Sequence, residues 1–113
     1  MRLSVDQAIP CGLLINELVT NAIKHAFNDG REGQVTVTLR RLEPPWGELV
    51  VRDDGVGLPR GFDWQSPATV GLDLVQALSQ QLEARVEVTP GPGGAAFRFV
   101  FRLAGGDNHG RDQ

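Results

Sequence analysis

Between Glu17 and Asn28 the sequence reads Glu-Leu-Val-Thr-Asn-Ala-Ile-Lys-His-Ala-Phe-Asn. Wound as a helix, Glu17, Asn21, Lys24, His25 and Asn28 recur at i, i+4, i+7, i+8 and i+11, so they share less than half of its circumference. Ile15, Leu18, Val19, Ala22, Ile23 and Ala26 take the opposite arc and read as the core face. A solvated face is ordinarily built from plain Lys and Glu. This one joins an acid, a carboxamide, a cation and an imidazole, a set able to handle a metal ion and a phosphate together.

Two glycine-containing runs could supply the rest of such a site. Asp53-Asp-Gly55-Val-Gly57 directly follows a strand pattern. Glycines two apart permit positive φ and let the backbone approach a flat or charged ligand. An Asp at the end of a buried strand can accept a hydrogen bond from an exocyclic amine in a fixed direction. Taken alone, the run reads better as a Gly-rich turn with Asp as turn former. In Thr69-Val-Gly71-Leu-Asp-Leu-Val75 a glycine opens a helix, whose first N–H groups can meet a phosphate. By itself this is a loop-to-helix junction with Thr69 as N-cap.

The elements that must position these residues are legible from periodicity. Leu3 to Val5 is a short strand or a lead-in, Asp6 a candidate N-cap, and a helix then runs to about Phe27, with Pro10 tolerated within its first turn. Gln34 to Leu42 alternates with period two, placing Val35, Val37 and Leu39 on one face. Pro44 to Gly47 is a turn, and Glu48 to Asp53 the returning strand. Gly71 to Ala84 reads as a second helix with an apolar stripe of Leu72, Val75, Leu78 and Leu82. Arg85 to Thr89 is a strand, Pro90 to Gly94 a turn, and Ala95 to Leu103 a last strand with Phe97, Phe99 and Phe101 on one face. The order helix, hairpin, helix, hairpin predicts an α+β two-layer sandwich, with helices on one face of a mixed, mainly antiparallel sheet.

The chain has 113 residues, which suits one domain, read as 1–103 with a polar, Gly-rich and disordered tail at 104–113. Its apolar content of 41% and charged content of 22% are those of an ordinary soluble domain. A net charge of −3 argues against a general nucleic-acid binder. The lone Cys11 excludes an internal disulfide and reads as a small buried side chain. No apolar run has membrane-spanning length and no signal-peptide pattern is present, so a cytoplasmic domain without membrane contact is expected.

In this order and spacing, the three motifs resemble the N, G1 and G2 boxes of the GHKL ATP-binding superfamily. Within it they are most similar to the catalytic domain of sensor histidine kinases. The Lys-His-Ala-Phe ending of the first box and the lead-in from Asp6 look like the HWE/HisKA_2 subgroup, as does the short segment 58–70 between the glycine boxes. The resemblance spans roughly residues 3 to 103 and implies a Bergerat-type fold that binds ATP and Mg²⁺. By the same resemblance, Asn21 would ligate the Mg²⁺ that bridges the phosphates, Lys24 would set its ammonium against them, and His25 would line the same wall. Asp53 would accept the adenine amine, and Gly55 and Gly57 would make room for the base. Gly71 would meet the phosphates with Leu72 near the sugar or base. Glu17 would be a base, a holder of Mg²⁺-bound water, or a helix partner to Lys24.

The activity so implied is transfer of the ATP γ-phosphoryl group to a histidine on a separate dimerisation domain, in the same full-length protein or in trans, feeding a response regulator. The isolated domain would be a monomer. Neither His25 nor His109 reads as the phosphoacceptor. A serine kinase of the anti-sigma-factor type and a non-catalytic ATP-binding docking module remain as alternatives. Two departures from the family pattern bear on nucleotide affinity: Ala95 stands where a Thr is usual, and Asp54 where many relatives have Asn. Arg60 is a candidate clamp for the γ-phosphate, and Phe62 and Trp64 would pack in place of a separate Phe-rich box.

Overall fold

Phe97, Phe99 and Phe101 alternate along the last strand and all three are buried, so the side of the sheet they occupy is the one that had to be covered. Burying each phenyl ring is worth about 2–3 kcal/mol. The computed structural model of the chain describes residues 3–23, 33–55, 72–89 and 93–104. Its elements in order are α1 (Val5–Asn21), β1 (Val35–Arg41), β2 (Trp46–Asp53), α2 (Asp73–Leu82), β3 (Arg85–Thr89) and β4 (Ala95–Arg102). The strands form one sheet in the order β1-β2-β4-β3, and every described pairing is antiparallel. α1 packs along α2 and against β2. Cys11, Leu14 and Leu18 of α1, with Val75, Leu78 and Leu82 of α2, form a single core cluster with Leu49, Val51 and the three phenylalanines. This is the expected α+β sandwich, two layers deep, with both helices on one face of the sheet.

The start of α1 differs from the sequence expectation, while its expected end near Phe27 lies outside the described residues. Ser4, not Asp6, is the N-cap: its backbone is extended and its Oγ accepts the Gln7 N–H at 3.2 Å. Ser4-Val-Asp-Gln7 has the spacing of a capping box, but the Gln7 side chain is diverted to a tertiary role. Buried, it donates through Nε2 to the Arg102 carbonyl at 2.6 Å and accepts the Ala104 N–H through Oε1 at 3.0 Å, tying the start of α1 to the end of β4. With the cap at Ser4, Pro10 falls in the second turn rather than the first and removes a helical bond to the Asp6 carbonyl. The buried row is Gln7, Cys11, Leu14, Leu18 and Ala22. Ile15 and Val19 therefore lie at its margin, and Ile23 is exposed instead of forming part of the core face.

The strand pattern holds, with boundaries moved by pairing. Trp46 and Gly47, expected in the turn, belong to β2 because they pair with Arg102 and Phe101 of β4. Gly47 leaves the space that the buried Leu103 fills: a Cβ there would stand 2.8 Å from its Cδ2. Val37 and Leu39 share the helix side of the sheet with Val51 and Leu49, yet each is about two-fifths exposed, because β1 is the edge strand. α2 ends at Leu82, two residues before the expected Ala84. Glu83 adopts the left-handed conformation (φ 54°), and the Ala84 N–H bonds back to the Ser79 carbonyl at 3.0 Å.

The opposite face of the sheet has no described layer over it. In its middle Glu48 is 4% exposed, and its carboxylate is shared by two arginines. Arg40 Nε donates to Oε1 at 2.6 Å from β1, Arg98 Nε donates to Oε2 from β4, and Arg98 also reaches Glu87 on β3 at 3.1 Å. One ion-pair chain thus crosses all four strands. The Arg40 hydrogen bond, and after it the Arg98 one, holds the Glu48 carboxyl below the ordinary carboxylate range, against the desolvation that opposes ionisation. A carboxyl whose folded pKa is lowered adds stability above its unfolded pKa and loses it as pH falls through the folded value. Chemical unfolding of wild type and Glu48→Gln should therefore differ by about 1–2 kcal/mol near pH 7 and converge below about pH 4. A gap that persists unchanged to about pH 2.5 would show that ionisation of Glu48 contributes nothing.

Candidate functional site

Glu17 and Asn21 stand one turn apart on α1, each one residue before a member of the buried row, Leu18 and Ala22. That placement sets both on the margin of the packed face, half-buried. The Ala22 N–H reaches both the Leu18 and Val19 carbonyls, and Ala22 and Ile23 continue in a wider, π-type turn. Asn21 is therefore the last residue before the helical pitch changes, a feature that recurs at functional positions. No described group bonds to the Glu17 carboxylate or the Asn21 carboxamide.

Asp53 ends β2, where it pairs with Val35 of β1 and Ala95 of β4. Its register places it on the helix side of the sheet with Leu49 and Val51. Oδ1 accepts the Gly55 N–H at 2.9 Å, which orients the carboxylate, and among the described residues no group donates to Oδ2. Gly55 is buried. Ala95, the departure noted in the sequence, is buried directly across from Asp53, so any hydroxyl lost there is lost beside this carboxylate.

Asp54, the next residue, serves a different purpose. Its Oδ1 accepts the Gln34 N–H at 2.8 Å, and its own N–H donates to the Gln34 carbonyl at 3.2 Å. This reciprocal pair fastens the turn to the entry of β1. An Asn could accept the same N–H through its amide oxygen, so the Asp/Asn exchange preserves the clamp. The turn is closed on its other side by Gly94, at φ 133°. A Cβ at Gly94 would lie 2.0 Å from the Asp53 carbonyl oxygen and 2.9 Å from the Asp54 Cα. Both contacts escaped sequence reading. Gly94 is one glycine in a Gly-Pro-Gly-Gly run, and only the β2–β4 register reveals which of them meets Asp53.

Leu72 is buried in the core cluster and is the N-cap residue of α2, without a side-chain hydrogen bond to the first turn. The helix itself opens at Asp73, two residues after the glycine expected to start it. Lys24, His25, Gly57 and Gly71 lie outside the described residues, as do Thr69, Arg60, Phe62, Trp64 and the tail from residue 105. Among the described residues no group of three His, Cys, Asp or Glu is placed to hold a metal ion. Burial raises the Cys11 thiol pKa, so it remains a protonated core side chain. No described helix is long and apolar enough to cross a membrane.

Comparison with known proteins gives a consistent picture. Residues 6–105 match the model of the histidine kinase-, DNA gyrase B- and HSP90-like ATPase family. The blue-light-activated histidine kinase 2 of Erythrobacter litoralis is 37% identical over 100 residues, which is 88% of this chain and 29% of that protein. The sensor histidine kinase PdtaS of Mycobacterium tuberculosis is 43% identical over 77 residues, 67% of this chain and 15% of the relative. In the solved structure of the Erythrobacter litoralis EL346 blue-light-activated histidine kinase, 89% of this chain superposes on 32% of the other with a TM-score of 0.81 at 34% identity. The chain thus spans less than a third of the length of these curated relatives.

Gly94→Ala should be the most damaging single-methyl change at this corner. It should cost about 1–3 kcal/mol from the backbone conformation and more from the clash of the added Cβ with the Asp53 carbonyl oxygen, read as a fall in the midpoint of thermal unfolding. An unchanged midpoint would mean that the β2–β4 corner does not close as described.

Proposed function

Since the chain belongs to the histidine kinase-, DNA gyrase B- and HSP90-like ATPase family, we propose that it is the ATP-binding catalytic unit of a sensor histidine kinase. It passes the γ-phosphoryl group of ATP to a histidine on a separate dimerisation domain, from which a response regulator is served. The observation that carries the reading is the likeness to sensor histidine kinases over nearly the whole chain. The local geometry supports it: a carboxylate braced at the end of β2 on the helix side, and a carboxamide at the end of α1 without a partner among the described residues.

In this proposal the free oxygen of Asp53 accepts the adenine amine, while Gly55 and Gly57 leave room for the ring. Asn21 would present a neutral oxygen to Mg²⁺, a donor that suits a hard cation. The bound cation would neutralise phosphate charge. Lys24 and His25 line the phosphate wall, Gly71 and the N–H groups after it meet the phosphates, and Leu72 borders the sugar or base. The imidazole nitrogen of the acceptor forms a bond to the γ-phosphorus as the bond to the ADP oxygen breaks, and the imidazole proton leaves to a base. Positioning and charge neutralisation account for most of the rate. For Glu17 the roles of base, water holder and partner to Lys24 all fit its half-buried place beside Asn21. The domain by itself is a cytoplasmic monomer in this reading, the dimer contacts belonging to the histidine-bearing domain.

Calorimetric titration of the chain should show ATP binding that is strengthened by Mg²⁺ and weak for GTP. Asn21→Ala is expected to remove the Mg²⁺ enhancement with a loss of at least about tenfold; unchanged affinity would refute the metal role. Asp53→Asn, which replaces one acceptor by a donor, should bring ATP and GTP to within about twofold of each other. Equal binding of the two nucleotides by the wild type would defeat the adenine assignment. Label transferred from ATP to a histidine-bearing domain should be acid-labile, and an acid-stable phosphoserine would instead identify a serine kinase of the anti-sigma-factor type.

A further inference from the structure

The sheet face turned away from the helices has a composition that neither folding nor nucleotide chemistry requires. By register it carries Thr36, Thr38 and Arg40 from β1, Trp46, Glu48, Val50 and Arg52 from β2, Arg85, Glu87 and Thr89 from β3, and Ala96, Arg98, Val100 and Arg102 from β4. Five arginines thus stand against two glutamates, a local charge of +3. The whole chain has 11 cationic and 14 acidic residues, so everything else holds six and twelve, a charge of −6. Glu43 and Glu83 border the same face at one end, where they line a second depression with Trp46, Arg85 and Arg98.

Solvated sheet faces commonly balance such charges in cross-strand pairs. Here Arg40 and Arg98 are paired, through the buried Glu48. Arg52, Arg85 and Arg102 have no carboxylate partner among the described residues. Arg52 stands between Thr36 and Ala96, Arg85 opposite Val100, and Arg102 opposite Trp46, which is 43% exposed. Arg40 uses only its Nε–H on Glu48, which keeps its terminal N–H groups available to another acceptor. The surface also has relief. A depression of about 450 Å³ is lined by Thr36, Thr38, Arg40, Glu48, Val50 and Arg52.

We propose that this outer face is a docking surface for an acidic protein, with Arg52 and Arg102 engaging its carboxylates and Trp46 supplying apolar contact beside them. Arginine forks pair with carboxylates in bidentate fashion, and arginine with tryptophan is the side-chain mixture of protein interfaces. A nucleic acid fits less well. Glu48 and Glu87 interrupt the array, whereas a phosphate backbone is matched by an unbroken run of cations. Four strands of this length cover on the order of 500 Å², less than the roughly 800 Å² that each partner buries in a stable complex. The contact is therefore a transient one. It goes beyond the nucleotide site and does not depend on it.

The test uses the full chain and fluorescently labelled poly-L-glutamate, read by anisotropy at low salt. Binding should weaken steeply as NaCl is raised, and the Arg52→Glu/Arg102→Glu pair should weaken it at least tenfold. Arg41→Glu, on the helix side of β1, should change it by less than twofold. Arg52→Lys, which keeps the charge but not the bidentate fork, should bind less tightly than wild type and more tightly than Arg52→Glu. ATP titration of each variant reports separately on the nucleotide site. No binding of poly-L-glutamate, an equal loss from Arg41→Glu, or tighter binding of a single-stranded oligonucleotide would each overturn the proposal.

Discussion

The burial of three alternating phenylalanines on β4 is the constraint from which the other placements follow. A strand with Phe97, Phe99 and Phe101 on one side cannot leave that side in water, and the cover is a layer of two helices. α1 answers with the row Cys11, Leu14, Leu18 and Ala22, and α2 with Val75, Leu78 and Leu82. Once that row is seated, the rotation of α1 is no longer free. Glu17 and Asn21 are then held at the margin of the interface, half-buried, whatever their own preferences. Gln7 pins the start of the helix to the end of β4, so the helix is fixed along its axis as well as about it.

The corner at which β2 meets β4 shows how much one residue step matters in a strand. Asp53 and Asp54 are chemically identical neighbours, and the two-residue period separates their roles. The first falls on the helix side, braced by the Gly55 N–H and opposite Ala95. The second clamps Gln34 at the entry of β1. Gly94 permits this corner, because its missing Cβ is what lets the start of β4 approach the end of β2. The placement of the Asp53 carboxylate therefore rests in part on a glycine in a distant turn.

On the other face the physics is electrostatic. Glu48 gives up most of its hydration and is compensated by two guanidinium groups from neighbouring strands, an arrangement that stays favourable only while the carboxyl remains ionised. The two layers thus divide their labour. The helix side gathers the acid, the carboxamide and the braced aspartate, whereas the outer side concentrates positive charge.

The amino-acid sequence by itself determined the element order, the α+β class and the three motifs, because these rest on local periodicity and short spacings. The alternation of β4 and the apolar stripe of α2 were legible for the same reason. Tertiary structure decided what depends on partners distant in the chain. Trp46 and Gly47 became strand because β4 offered them a ladder. Ser4 became the cap, and Gln7 left its capping-box role, because Arg102 and Ala104 supplied stronger partners. The core face of α1 kept the expected Leu18 and Ala22 but turned toward Cys11 and Leu14, leaving Ile15 and Val19 at its margin and Ile23 exposed, since the packed layer, not the helix alone, selects the arc. The positions of Gly94 opposite Asp53 and of the arginines on one face followed from register, which two strands far apart in sequence set only when they pair.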